Sequence, residues 1–165
     1  FCLDLFSAEC RLCVSCSRLR HRTFARSRCA ILTPEESSVF RKFVLITGAL
    51  DIPIGIATWA AAVLEPHDAH FAALMTAGSF LVFAGAALVW STADIEVRAP
   101  IIFWQGFVRL TAVASILYMI PAGLAETWQY GVVAFDGIIA LVYIIGTLRL
   151  PDASFMSLAL GKGAR

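Results

Sequence analysis

Charged residues are scarce in this chain. Asp, Glu, Lys and Arg make up 15% of its 165 residues, whereas globular proteins average about 25%. Hydrophobic residues make up 59%, above the usual range of about 45–50%. The formal net charge is +1, and affinity for nucleic acid comes mainly from clustered Lys and Arg that neutralise phosphates. The composition therefore predicts a protein of the lipid bilayer and argues against a nucleic-acid partner.

Cysteine is absent after Cys29, and all five cysteines lie in residues 1–33 together with six of the thirteen basic residues. The C-x-x-C-x-x-C spacing of Cys10, Cys13 and Cys16 suits an iron–sulfur cluster. Cys29 would be a distant fourth ligand, since the usual nearby Cys followed by Pro is missing. We interpret this segment as a Cys- and Arg-rich extension, either disordered or not part of the native protein. A targeting extension or a basic cytoplasmic tail are the alternatives.

Motifs for catalysis are also lacking. The chain has no glycine-rich phosphate loop, no G-x-S-x-G, no H-E-x-x-H and no heme-attachment motif. Ser79 and Ser115 have no nearby His inside the predicted membrane segments that would activate them. We therefore predict no catalytic residue and no bound cofactor, with a quinone as the one ligand that stays open.

Four long apolar segments dominate the rest of the sequence. Each is long enough to cross a hydrocarbon core about 30 Å thick, for which about 20 residues suffice, and a backbone in lipid must be helical to satisfy its polar groups. Thr33, Pro34 and Glu36 together predict the start of the first helix. We predict an all-α integral membrane four-helix bundle over residues 34–150, followed by a cytoplasmic tail over 151–165. The predicted spans are about 39–64, 72–92, 101–125 and 130–150.

The basic residues that flank these spans lie at alternate connections. They are Arg41 and Lys42 before span one, Arg98 between spans two and three, and Arg149, Lys162 and Arg165 after span four. The connections at 65–70 and 126–129 contain no Lys or Arg. Because cytoplasmic loops carry the excess of basic residues, we predict that both termini are cytoplasmic.

Small residues recur at intervals of seven in the first two spans. One series is Gly48, Gly55 and Ala62, and the other is Gly78, Gly85 and Thr92. Small side chains let helices approach closely in lipid, and a period of seven keeps one seam toward a neighbour. We therefore predict that spans one and two form an antiparallel hairpin.

A second regularity relates the two halves of the chain. At a constant offset, Arg41, Pro53 and Gly55 correspond to Arg109, Pro121 and Gly123. Two hairpins in parallel repeat, an arrangement that small transporters use, would explain it. Coincidence in a chain rich in Ala, Gly and Ile is the alternative.

Three charged residues lie away from the ends of the predicted spans: Asp51, Arg109 and Asp136. A charge in mid-membrane costs about 2.5–3.5 kcal/mol even on the lenient insertion scale, so each needs a partner, a proton or a wet cavity. At about 1.5 Å of rise per residue, Asp51 and Arg109 lie roughly 12–15 Å from the same face. They form a candidate proton or substrate site together with Asp136 and with Tyr143, which shares a helix face with Asp136.

Two alternatives remain open for these residues. If span three begins near Phe107, as the repeat implies, Arg109 would snorkel to the interface. Thr47 would then be the hydrogen-bonding partner of Asp51. Asp136, close to the outer end of span four, would in the same way have only a hydrogen-bonded structural role.

The first outer connection contains two His residues and two carboxylates within six residues, 65–70. Imidazole and carboxylate groups bind divalent transition metals, which makes His67 and His70 weak metal candidates. Structural metal sites usually recruit four ligands. A solvated polar loop without a bound metal is therefore the favoured interpretation.

The pattern of residues 40–150 resembles the small bacterial DoxX-like inner-membrane proteins. It consists of four short spans with both ends cytoplasmic, a basic pair before span one, and Gly48, Asp51 and Gly55 within it. The resemblance implies a multi-pass protein of the bacterial inner membrane. It also implies a link to quinone-dependent oxidoreductases, which some relatives have.

Three classes of function follow. The first is a non-catalytic subunit or a binding protein for a small molecule such as a quinone, with a membrane oxidoreductase or a second copy of the chain as its partner. The second is a small proton-coupled transporter that uses Asp51. The third is a structural or assembly role in the membrane.

Overall fold

The computed structural model describes residues 32–64 and 70–163, which form five helices and no strand. The first four helices are each long and apolar enough to cross a membrane. The prediction of an all-helical protein with four long apolar helices is confirmed. The helices are α1 Pro34–Leu64, α2 Phe71–Ser91, α3 Ala99–Met119, α4 Gln129–Leu148 and α5 Phe155–Ala159.

The predicted start of α1 is confirmed. The backbone N–H of Thr33 donates to the Glu36 carboxylate at 2.8 Å, and the N–H of Glu36 donates to the Thr33 hydroxyl at 3.3 Å. This reciprocal pair satisfies two N–H groups that the first turn of a helix leaves without partners. The residues just before α1 therefore set its starting point.

The predicted hairpin of α1 and α2 is present, and its seam consists of facing glycines. A Cβ placed on Gly48 would lie 2.7 Å from the Cβ of Leu88, and one on Gly55 would lie 2.7 Å from the carbonyl oxygen of Gly78. Gly85 in turn approaches the carbonyl oxygen of Gly48. At Gly48, Gly55 and Gly85 the two backbones therefore pack directly against each other, as small residues allow in membrane helices.

The predicted end of span three, near residue 125, is wrong, since α3 ends at Met119. Ile120 is still helical in conformation, and its N–H donates to the Ile116 carbonyl, but the next residue, Pro121, has no N–H with which to continue the helix. Gly123 then adopts φ 70°, its N–H donates to the Ile120 carbonyl, and the Leu124 N–H donates to the Met119 carbonyl. These two bonds form the Schellman motif that closes many helices at a left-handed glycine.

The positions that the repeat hypothesis equates have different surroundings. Arg41 is exposed near the start of α1, whereas Arg109 is buried in the middle of α3. Gly55 lies in the α1–α2 seam, whereas a Cβ on Gly123 would meet no atom within 4 Å. The parallel repeat therefore stays a prediction without support from these pairs.

The start of α1, the α2–α3 connection and the tail meet at one end of the helices. The N–H of Leu32 donates to the Arg149 carbonyl at 3.1 Å, and a Cβ on Gly163 would lie 2.6 Å from the carbonyl oxygen of Val97. In the tail, α5 buries Leu158 completely and packs Phe155 edge-on against Phe103 of α3. The tail is thus part of the packed structure at this end.

Candidate functional site

Arg109 of α3 lies between two carboxylates, one from α1 and one from α4. Its Nη2 donates to Asp51 Oδ2 at 2.5 Å, and its Nη1 donates to Asp136 Oδ1. The side chains of Arg109, Asp51 and Asp136 are 9%, 6% and 20% exposed. We call these three residues the carboxylate–arginine cluster. It joins α1, α3 and α4 through charge-assisted hydrogen bonds, which are stronger than neutral ones.

The structure decides between the alternatives left open for Arg109. Helix α3 begins at Ala99, ten residues before Arg109, and the guanidinium group is enclosed among α1, α3 and α4. The prediction that Arg109 pairs with Asp51 is confirmed, and the alternative of an Arg109 that snorkels to the interface is wrong. Asp136 has a direct ionic contact as well, so it belongs to the same cluster.

The α1–α2 seam sets the position of Asp51. A Cβ on Gly85 would lie 3.0 Å from the Cβ of Asp51, so only glycine leaves room for α2 to pass directly over this residue. Asp51 is therefore covered by α2 on one side and bonded to Arg109 on the other. Asp136 has no such cover and is the more exposed carboxylate of the two.

A second hydrogen bond joins α1 to α4 beside the cluster. The hydroxyls of Thr47 and Tyr143 are 2.5 Å apart, and Tyr143 is completely buried. The Thr47 hydroxyl also lies 2.8 Å from the Phe43 carbonyl, which can only accept, so Thr47 donates there and Tyr143 donates to Thr47. Tyr143 and Asp136 both face Arg109, so the prediction that they share one face of α4 is confirmed. Thr47 bonds to Tyr143 and not to Asp51, so the alternative that paired it with Asp51 is wrong.

A cavity of about 660 Å³ lies between α1 and α4, with the cluster at its polar end. Leu50, Ile54 and Phe135 are half exposed at its edge, so the cavity opens toward the lipid. Leu81, Gly131, Val132 and Ile139 complete its apolar walls, and Thr47, Asp51, Arg109 and Asp136 supply its polar surface. The charged residues of this cavity are those of the predicted site, whereas no pattern in the sequence predicts its apolar walls.

A second groove of about 520 Å³ lies on the same side of the helices, nearer the start of α1. Phe43 lines this groove and Thr47, one turn later, lines the cavity. Its walls are almost entirely apolar, with Glu35, Glu36 and Arg149 at one end. In a bilayer, lipid chains fill such a surface without any specific contact.

Electrostatically, the cluster contains one carboxylate more than it has cations. A guanidinium group keeps its proton in proteins, so the cluster carries a net charge of −1 when both carboxylates are ionised. The Nε–H of Arg109 is buried and has no acceptor among the residues that the structure describes. Arg109 and both carboxylates line the cavity, so the site can supply a guanidinium group to a ligand oxygen and a carboxylate to a positively charged group.

The other predicted ligands do not add to this site. His67 and the cysteines of the proposed iron–sulfur motif lie outside the described residues. Within 32–64 and 70–163, no group of three or more His, Cys, Asp or Glu side chains is placed to hold a metal ion. The weak metal hypothesis for His67 and His70 thus gains no support from His70.

Comparison of the chain with protein-family models, with curated proteins and with solved structures finds no match. The DoxX-like resemblance therefore stays a prediction, which rests on the sequence pattern of residues 40–150. The function proposed below therefore rests on the carboxylate–arginine cluster and on the cavity that it lines.

Proposed function

We propose that this protein binds a lipid-soluble small molecule in the cavity between α1 and α4. The observation that carries the proposal is the joint presence of an apolar cavity open to lipid and a buried ionic cluster at its end. Ligand sites are typically apolar with a few placed polar groups. An ionisable group inside a membrane is costly and is commonly kept for function.

The polar end of the cavity is the part that would select the ligand. Lipid chains are as apolar as Leu or Ile, so apolar walls alone give a molecule dissolved in the bilayer little reason to enter the protein. Arg109 and Asp136, by contrast, offer contacts that lipid cannot offer. A quinone fits this description because its carbonyl oxygens can accept hydrogen bonds from a guanidinium group, and Arg109 lines the cavity.

Co-purification tests the proposal with a matched pair of variants. Ile54 and Ile56 are 53% and 51% exposed on the same helix, but only Ile54 lines the cavity. We expect mass spectrometry to find a small molecule with the wild-type protein and with Ile56→Trp, and much less of it with Ile54→Trp. Identical small-molecule profiles from all three proteins would contradict the proposal.

Proton-coupled transport is a second candidate, favoured by the extra carboxylate of the cluster. A carrier that uses Asp51 would take up and release one proton in each cycle, since one proton neutralises the cluster. Proteoliposomes with an internal pH indicator measure this flux. We expect Asp51→Asn to abolish it, and flux at the level of empty liposomes for both proteins would remove this candidate.

We also propose that both termini lie in the cytoplasm of a bacterial cell, with the protein in the inner membrane. Arg41, Lys42, Arg98, Arg149 and Lys162 all lie at the end where α1 starts, which supports this orientation by the positive-inside rule. In a variant whose five native cysteines are replaced by serine, labelling of a cysteine introduced at Ser37 or at Thr127 by an impermeant reagent distinguishes the two orientations. Labelling at Ser37 in intact cells would reverse the assignment.

A further inference from the structure

The charges that line the cavity do not balance. Its ionisable lining residues are Asp51, Arg109 and Asp136, which is one positive group against two negative ones. Helix α2 contributes only Leu81 to the lining. Tyr143 lies beside the cluster, with the centre of its ring 6.0 Å from the Arg109 guanidinium carbon, and it is neutral when protonated. The cluster is therefore one positive charge short of neutrality when both carboxylates are ionised.

A net charge in a medium of low dielectric constant is unfavourable, so the cluster takes up one positive charge from its surroundings. The proton is the smallest such charge, and it neutralises the cluster when no other cation is near. A cation inside the cavity would do the same. Arg109 and Tyr143 do not compete for this role near neutral pH, because both hold their protons there. The exchangeable proton thus belongs to the carboxylate pair.

Both carboxylates line the cavity, and Asp136 is the more accessible of the two. Its side chain is 20% exposed, while that of Asp51 is 6% exposed and lies under Gly85 of α2. Phe135, the preceding residue, lines the same cavity and presents an aromatic ring there. A cation at Asp136 would therefore also lie near the face or edge of an aromatic ring, and a cation over the face is attracted.

We propose that the ligand class of this cavity is the lipid-soluble monocation, such as an alkyl- or arylammonium, and that it binds in exchange for one proton from the carboxylate pair Asp51 and Asp136. The positive group contacts the Asp136 carboxylate, and the apolar body lies against Leu50, Ile54 and Val132. When the cation enters, the O–H bond of the carboxyl group breaks and the proton passes to water, so charge is conserved. This inference rests on the proposed binding function and names its ligand class.

Tetraphenylphosphonium is a suitable probe because its charge does not depend on pH. The full chain in lipid nanodiscs is titrated with it by calorimetry, in buffers of different ionisation enthalpy, and the Ile54→Trp variant gives the background of partition into lipid. We expect release of one proton per bound cation. Over the pH range in which the carboxylate pair holds its proton, the affinity for tetraphenylphosphonium should rise about tenfold for each unit of increase in pH. This is the slope for the exchange of one proton.

Two variants separate a net-charge effect from a local contact. Asp136→Asn should weaken binding of the cation about tenfold or more, since a close charge pair in a site of low dielectric constant is strong. Each of the two variants, Asp136→Asn and Asp51→Asn, leaves one carboxylate and one guanidinium group. Asp51→Asn should therefore also remove the pH dependence of cation binding. A neutral short-chain quinone, bound equally by wild type and Asp136→Asn, would show that the cavity is intact in the variant.

The outcomes distinguish this inference from the function on which it rests. If the neutral quinone binds to wild type in an Ile54-dependent manner and tetraphenylphosphonium does not, the cationic ligand class is wrong while the binding function stands. If the cation binds equally well to wild type and to Asp136→Asn, and without release of a proton, the proposed exchange of a proton for the cation is wrong. If neither probe binds above the Ile54→Trp background, both proposals fail.

Discussion

Helix α1 meets its two neighbours in opposite ways. Toward α2, Gly48 and Gly55 let the two backbones pack directly against each other. Toward α4, α1 has the Thr47–Tyr143 hydrogen bond and the contact of the Phe40 ring with Gly146, and the cavity lies beyond Thr47. The closed side fixes the position of Asp51, and the open side leaves room for a ligand beside it. One helix thereby combines a rigid support with an accessible site.

The largest loss of stability is expected from Arg109→Leu. Arg109 bonds both to Asp51, on the closed side of α1, and to Asp136 of α4, on the open side. The substitution leaves two carboxylates without their partner, and removal of one member of a buried pair costs about 3–5 kcal/mol. Unfolding in mixed micelles, followed by circular dichroism, measures the loss.

The exposed Arg41→Leu variant is the control for Arg109→Leu and should change stability little, since exposed charges contribute little to it. Replacement of all three cluster residues by apolar residues should recover most of the lost stability, as is observed for other buried ion pairs. Equal stability of Arg109→Leu and wild type would show that the cluster is not a structural link.

A smaller loss of stability is expected from Gly85→Ala, which disrupts the close packing of α1 against α2. The new methyl group would lie 3.0 Å from the Cβ of Asp51 and still nearer the Gly48 backbone, so α1 and α2 must separate. Overpacking of this kind costs about 1–3 kcal/mol. The same unfolding assay measures it.

Gly137→Ala on α4 is the matched control, because a Cβ there meets no atom within 4 Å. Within a helix, where the added methyl group has room, Ala is favoured over Gly by about 0.5–1 kcal/mol, so this variant should be slightly more stable than wild type. Equal destabilisation by both substitutions would mean that the α1–α2 seam is looser than described.

Next in size is Tyr143→Phe, which removes the hydrogen bond that joins α1 to α4. The Thr47 hydroxyl keeps its bond to the Phe43 carbonyl, so no buried donor loses its acceptor. We expect a loss of about 0.5–1.5 kcal/mol, the usual contribution of one hydrogen bond. Tyr118→Phe, at an exposed position of α3, should have no effect. A loss as large as that of Arg109→Leu would contradict this ranking.

The smallest effect on stability is expected from Ile54→Trp, which adds bulk on the open side. The cavity can accept the larger ring, so the free energy of unfolding should change by less than about 0.5 kcal/mol, as for ordinary surface substitutions. A single added methyl at Gly85 should thus matter more than a whole indole at Ile54. The reverse order would mean that the cavity is closed in the folded protein.

The features that sequence predicted well are those that depend on one helix or on neighbouring residues. The period of seven in Gly48, Gly55 and Ala62 depends on a single helix surface, and it correctly gave the α1–α2 seam. Thr33 and Glu36 gave the start of α1 for the same reason. Pro121 and Gly123 are also local signals, and they mark the end of α3. The repeat hypothesis explains the same two residues by a correspondence with α1, and it therefore places the end of span three too late.

The candidate site was predicted only in part. The high free-energy cost of a charge inside a membrane marks Asp51, Arg109 and Asp136 as candidate site residues. The rise per residue of a helix predicts that Asp51 and Arg109 lie at the same depth. The cavity and the Thr47–Tyr143 bond depend on the distance between α1 and α4, which are far apart in sequence and have few direct contacts. No periodicity within one helix encodes that distance.

The α1–α2 hairpin has a further consequence when the chain is considered in order of synthesis. Asp51 precedes Arg109 by 58 residues, so α1 and α2 can pack through their glycines before α3 exists. At that stage Asp51 lies under Gly85 without its cation, and a lone carboxyl group in lipid is most stable with its proton. The ion pair therefore forms late, when Arg109 arrives and displaces that proton. Membrane insertion of a fragment that ends after α2 should accordingly be as efficient with Asp51→Asn as with Asp51.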